Sequence, residues 1–419
     1  MAFFVRVSSL ILLLLSFLVY FLEPLYSRFL IVIPIFQLAL LILLVSKNLP
    51  LVLFFIYCII FYAYLFPRFI LDLPVVYYFD YDNIAFYTKA LMANILFWST
   101  LCFFLKTTKN SYKFPDFSNF FKPNQWIVVL NIVIMFLIIL FGFKGDNILS
   151  GAKYGTEDFG DKSIFTEYFI IFLIIAYVHC ANQISKLLVL SIGALMVLVA
   201  LIYASRVSAL LCILTVFVLH FSNRFSLRKI ITISVIGLTF MNAISLIRAG
   251  STNMSMVFSK NHNGIISSTQ ANMFYGSVTL IALTDEGKID TPKRIKSLIG
   301  FIGRLFLPSS LSFKEGSLAS FGQNLSPWGG GADPTAYFYV WFGWLGPIIF
   351  GLLIVFLMNG MSRPNVDKYF FFMGIILLAT FPRWFGYEPG VIFKMTWVGI
   401  VILIVQENLF FKIRKWNQK

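Results

Sequence analysis

Three arginines, one histidine and a pair of aspartates are the residues of this chain whose type and setting suit chemistry. Arg206 interrupts the apolar stretch 187–221, in Tyr203-Ala204-Ser205-Arg206. A guanidinium at the edge of hydrocarbon is costly unless it is hydrated, paired or near the interface, so it tends to be kept for a purpose. Its planar fork suits phosphate oxygens. The competing role is an arginine that snorkels or binds carbonyls at a helix end. Arg248 closes Ser245-Leu246-Ile247-Arg248, where an interfacial anchor is the alternative. Arg304 lies on an amphipathic stretch, where attraction to anionic lipid would also account for it. His262, in Lys260-Asn261-His262-Asn263-Gly264, titrates in the range of a general base, although a lone loop histidine is more often simply solvated. Asp80-Tyr81-Asp82 has the acid-x-acid form of a divalent-metal site, but a hydrated acidic loop is the preferred reading, as it is for Glu157, Asp158 and Asp161. The sequence has no Walker loop, dinucleotide fingerprint, nucleophile motif or HExxH, which argues against an ATP- or nicotinamide-driven reaction. No metal or other cofactor is expected.

The elements that position these residues are membrane helices. The chain has 419 residues, 59% hydrophobic and 12% charged. Soluble domains carry roughly 25% charged residues, so the polar surface here is too small to face water all round. Apolar runs fall at 5–22, 29–45, 49–66, 84–105, 126–143, 164–180, 187–203, 207–221, 230–247, 336–358, 369–381 and 391–411. The expected fold is an all-α polytopic membrane protein of about twelve transmembrane helices. The first run lacks a small-x-small cleavage site and is read as a retained span. Alternate connecting segments are rich in Lys and Arg, which puts them and both termini on the cytoplasmic side. The net charge of +15 is then a matter of orientation, not of nucleic acid. The four cysteines, Cys58, Cys102, Cys180 and Cys212, have no paired spacing and read as buried hydrophobes. As a single helix, 187–221 would be about 50 Å long. Two short helices meeting near Arg206 fit better. The expected division is 1–247, an N-terminal bundle of about nine spans; 248–335, a large periplasmic loop with an amphipathic helix near 293–306; and 336–419, C-terminal spans with a basic cytoplasmic tail. On 293–306, Ile295, Leu298, Ile299, Ile302, Leu305 and Phe306 can share one face, the pattern of a helix in the headgroup plane. A second helical stretch is expected over 268–283.

Three pieces carry a family likeness: Tyr203-Ala204-Ser205-Arg206 at the start of a span; the long external segment 248–335; and its exit, Gly329-Gly330-Gly331-Ala332-Asp333-Pro334, leading into an aromatic run that ends Phe342-Gly343-Trp344-Leu345-Gly346. The chain thereby resembles the O-antigen polymerase family, the Wzy-type polymerases of bacterial surface polysaccharide. Where many members carry a glutamate, this chain has Asp333 nearby, followed by Thr335-Ala336. The resemblance implies a GT-C-like architecture in the bacterial inner membrane. It implies a metal- and nucleotide-independent glycosyltransferase that moves a growing glycan from undecaprenyl diphosphate onto a new lipid-linked repeat unit at the periplasmic face. Implied partners are undecaprenyl-diphosphate-linked oligosaccharide repeat units, the lipid bilayer, and chain-length regulator and flippase proteins. On this view Arg206 and Arg248 grip diphosphate with help from Arg304, and His262 or Asp333 takes the acceptor hydroxyl proton. The alternatives are an O-antigen ligase, which shares much of this architecture, and a non-enzymatic flippase or transporter of lipid-linked oligosaccharide.

Overall fold

The computed structural model describes residues 1–22, 26–70, 79–106, 120–147, 161–203, 205–222, 225–226, 228–232, 269–307, 318–322, 325, 331–361 and 366–416. The helices run in order α1 Ala2–Leu22, α2 Val32–Leu44, α3 Leu49–Ala63, α4 Ile84–Phe104, α5 Gln125–Phe141, α6 Phe165–Val178, α7 Gln183–Ile202, α8 Arg206–Val216, α9 Thr269–Asp285, α10 Thr291–Phe306, α11 Pro334–Phe342, α12 Leu345–Met361, α13 Lys368–Ala379 and α14 Gly390–Trp416. One antiparallel pair of two-residue strands, Phe143–Lys144 with Asp161–Lys162, is the sheet among the described residues. The fold is all-α. Many helices start where an Asn or Asp side chain accepts from the free N–H groups of the first turn: Asn48, Asn83, Asn124, Asn182, Asp290, Asp333 and Asp367.

Among the described residues, three helices are long and apolar enough to cross a membrane: Ala2–Phe21, Gln183–Ile202 and Gly390–Phe410. Others are apolar but shorter, such as Leu49–Ala63 and Gln125–Phe141. Large apolar side chains stand on the surface, among them Phe3, Leu14 and Phe21 of α1 and Leu140 and Phe141 of α5. Such surface suits contact with lipid. All four cysteines are buried and free.

The helices pack as two compact units, each discontinuous in sequence. The first comprises Met1–Tyr112, Ser259–Arg363 and Arg383–Val391. Its hub is α4, packed by α1, α2, α9, α11 and α12 and buried along most of its length. Three levels along α4 give the direction of its neighbours. Near its start, Lys89 pairs with Asp285 at 2.5 Å, and the Tyr339 hydroxyl donates to the same carboxylate at 3.0 Å. Farther along, Asn94 meets Asp333, which meets Ser277. Near its end, Asn359 donates to the Phe104 carbonyl at 3.0 Å. So α9 and α11 run opposite to α4, and α12 runs alongside it.

Two sequence expectations change here. The stretch 336–358 is not one helix. The chain turns at Gly343, where φ is +60°, a left-handed value that glycine adopts without the cost a Cβ brings. Its halves pack so closely that a Cβ on Gly346 would collide with the Phe338 carbonyl. α11 is 9 residues long, about 14 Å, too short to cross hydrocarbon alone. Part of the segment read as an external loop is also core. The expected helix over 268–283 exists as α9, but Met273–Thr284 is buried throughout, against α4 and α11.

The second unit comprises Lys113–Phe258, Pro364–Pro382 and Ile392–Lys419. Here α5 packs on α6, α7 on α8, and α8 on α6 and α13. The expected break near Arg206 is present, between α7 and α8. Asn131 of α5 and Gln406 of α14 form a buried amide pair at 2.7 Å, and Glu407 accepts from Lys368 at 2.6 Å. Of the expected span 230–247, only 230–232 falls within the described residues.

Candidate functional site

In the second unit the site forms around the start of α8. Arg206 is its first residue and is half-buried. The backbone leaves α7 through a tight turn, in which Ser205 N–H donates to the Ala200 carbonyl at 2.7 Å. The Tyr203 ring stacks on Phe143 at 5.0 Å. Ser205 Oγ donates to Ser208 Oγ at 2.9 Å, and Thr166 Oγ lies 3.2 Å from that same Ser208 oxygen. That contact joins the first turns of α6 and α8. Glu167, the residue after Thr166, is 6% exposed. The site thus combines a guanidinium, hydroxyls and the N-terminal end of a helix, where free N–H groups favour anions. Glu167 was not singled out from sequence, because it sits at the edge of the apolar run 164–180.

In the first unit a buried polar network holds α11. Asp333 is 0% exposed and caps the helix. Its Oδ1 accepts from Thr335 N–H at 2.9 Å, Ala336 N–H at 3.3 Å and the Thr335 hydroxyl. Its Oδ2 accepts from Ser277 Oγ at 2.7 Å and Asn94 Nδ2 at 3.4 Å. Asn94 in turn accepts from the Tyr62 hydroxyl at 2.6 Å, which accepts from Trp98 Nε1 at 2.7 Å. These donors partly offset the desolvation of the carboxylate. They also occupy both of its oxygens. The geometry is that of a structural anchor, and it corrects the expectation that Asp333 takes a proton from a sugar hydroxyl: no oxygen of it is open to a substrate.

Next to this network lies α10. Ser297, Gly300 and Phe301 face inward, with Trp341 Nε1 donating to Ser297 at 2.9 Å and Phe301 4.7 Å from the Trp341 ring. The opposite face exposes Ile295, Ile299, Ile302 and Phe306, each 49–62% accessible. This is the apolar face expected from sequence, and it has no protein cover among the described residues. Arg304 Nε donates to the Gly300 carbonyl at 3.3 Å, and its Nη1 stands 3.7 Å from Glu388. Arg294 donates to the Thr284 carbonyl in the last turn of α9 and to the Ile289 carbonyl past its end.

Asp82 of the acid-x-acid stretch is engaged by Arg68 at 2.7 Å and by the Tyr87 hydroxyl at 2.8 Å, which makes it an ion-pair partner. Burial works against the Arg68 charge, and Asp82 more than restores it, so the guanidinium pKa lies above its ordinary value. Arg248 and His262 lie outside the described residues. The structure therefore puts Arg206 at a helix start in the second unit, and Arg304 and Asp333 in the first unit.

Fold and sites together define an all-helical protein with membrane-length apolar helices and cations at helix ends. Compared with known proteins, the chain matches no family model, no curated protein and no solved structure.

Proposed function

We propose that this chain is a Wzy-type polysaccharide polymerase of the bacterial inner membrane, multi-pass, with both termini cytoplasmic. A hydroxyl at the non-reducing end of a lipid-linked repeat unit attacks the anomeric carbon of the growing glycan. The bond from that carbon to phosphate breaks, and undecaprenyl diphosphate leaves with the electron pair. The leaving group is already activated, so the step asks of the protein only orientation, a proton acceptor and fixed positive charge.

The observation that carries this reading is the half-buried Arg206 at the first residue of α8. A guanidinium fork and the free N–H groups of a helix start favour the same ligand, a phosphate oxygen gaining charge. The uncovered apolar face of α10 supports it further, because that face suits a membrane surface from which polyprenyl-linked substrates are drawn. Arg248 and Arg304 assist at the diphosphates, and His262 takes the hydroxyl proton.

The test uses the purified full chain and synthetic polyprenyl-diphosphate repeat units, with and without chelator, read as glycan ladders on gels. A ladder that survives chelator is expected. Ladders of unchanged length from Arg206→Ala would remove Arg206 from the mechanism. In cells lacking the protein, single repeat units on the final acceptor fit a polymerase. Repeat units held on the cytoplasmic leaflet would instead identify a flippase.

A further inference from the structure

The first unit carries charges at a depth where a bilayer rarely holds any. That depth is read along α4, whose 21 residues make a rod about 30 Å long, the thickness of a hydrocarbon core. Asn94 stands about 15 Å from its start, halfway along. Asn94 meets Asp333, and Asp333 meets Ser277. Beside Ser277, a Cβ on Gly276 would collide with the Gly331 carbonyl. A Cβ on Gly331 would in turn come within 3.3 Å of the Tyr387 ring and 3.9 Å of the Tyr387 Cα. These contacts put the backbone at Tyr387 level with the middle of α4.

At this level the chain is not helical, since 385–389 forms turns. Trp384 and Phe385 anchor the segment in the core, and the Tyr337 hydroxyl donates to the Tyr387 carbonyl at 3.2 Å. Irregular backbone at membrane depth is tolerated where it is buried in protein or lines water. Here the side chains are ionisable and open. Glu388 is 41% exposed, and Arg304, which it faces at 3.7 Å, is 21% exposed. Arg383 lies over the Tyr387 ring at 4.9 Å and is also partly exposed. A charge turned to lipid at that depth is costly, so accessible ones face water. The second half of α10 reaches the same level: a Cβ on Gly390 would come within 3.1 Å of the Phe301 ring and 3.3 Å of Leu305. One side of α10 turns Arg304 to Glu388, while the other exposes Ile302 and Phe306.

We propose that the first unit holds a water-filled vestibule reaching the mid-level of α4, with Arg304, Arg383 and Glu388 around its floor and α10 as the wall that keeps lipid out. The vestibule admits hydrophilic solutes of about the size of a sugar, and hydrocarbon stays on the far side of α10. It needs only that the chain crosses a membrane and does not rest on the glycosyl-transfer reading.

The test places single added cysteines in the full chain, reconstituted in phosphatidylcholine vesicles. A hydrophilic methanethiosulfonate, itself a solute of the proposed kind, is applied to both faces and the rate of modification is read. The four native cysteines are buried, and the unsubstituted chain gives the background. Glu388→Cys is expected to react within roughly tenfold of the surface control Lys293→Cys, and Ile302→Cys roughly a hundredfold more slowly, because a thiol in apolar surroundings resists ionisation. Arg383→Cys should match Glu388→Cys, and it decides the matter if Glu388→Cys lowers the melting temperature. Failure of both floor positions to react would overturn the vestibule. Equal rates at Glu388→Cys and Ile302→Cys would overturn it too, since α10 would then separate nothing.

Discussion

Two charged side chains, Arg206 and Asp333, are given different roles by the proposed mechanism at the level of single residues. Arg206 is half-buried at a helix start, where the proposed mechanism puts a substrate phosphate. Losing one such donor typically costs on the order of 10²–10³ in rate. We expect Arg206→Ala to lose polymer synthesis on that scale, and Arg206→Lys to recover part of it, because charge returns without the fork. Timed assays with lipid-linked repeat units measure both. Asp333 behaves differently. Removing its carboxylate strands Ser277, Asn94 and the first N–H groups of α11, so Asp333→Ala is expected to cost about 2–4 kcal/mol of stability. Asp333→Asn keeps part of the cap and should cost less. Thermal melts in detergent distinguish these, and a full loss of activity in Asp333→Asn with an unchanged melt would restore Asp333 as a proton acceptor.

Helices show what sequence pattern reveals and where it stops. Substituting Gly346 with Ala forces a Cβ into the Phe338 carbonyl, with backbone on both sides and no side chain able to give way. We expect a loss of about 3 kcal/mol or more, read as a lowered melting temperature. Ile299→Glu on the open face of α10 should leave the melt nearly unchanged while weakening association with vesicles, since Ile299 is 57% exposed. Flotation with liposomes reads that outcome. The amphipathic face of α10 was legible because lysines and arginines alternate with aliphatics at helical spacing. The break before Arg206 was legible because a charge interrupts a stretch too long for one crossing. The turn at Gly343 was not, since Phe342-Gly343-Trp344-Leu345-Gly346 sits inside an unbroken apolar run, and a left-handed glycine leaves no mark in hydropathy. Nor was the burial of α9, whose Ser277, Thr279 and Thr284 look like loop residues in sequence. Their hydroxyls bond to backbone carbonyls one turn earlier or to Asp333, which is how a polar helix comes to lie in a core.

For the molecule as a whole, the apolar surface sets the first expectation: the chain should stay with membranes through alkaline carbonate washing and need detergent for release. Site-specific cysteine labelling then tests its proposed orientation. Residues beside Arg206 and on α10 should react from the same, periplasmic side, and a tag after α14 should be reached only from the cytoplasm. Labelling of those two places from opposite sides would separate Arg206 from α10 and undo the proposed site. The short α11 has a further consequence, for how the molecule is made. It is too brief to cross a bilayer on its own, and one of its anchors, Asn94 beside Asp333, lies 239 residues earlier in the chain. At roughly 5–20 residues per second, the ribosome adds that length in about 12–48 seconds. We expect the α11 side of α4 to need protection from lipid during that interval, so nascent chains stalled before α11 emerges are where insertion chaperones should be found attached.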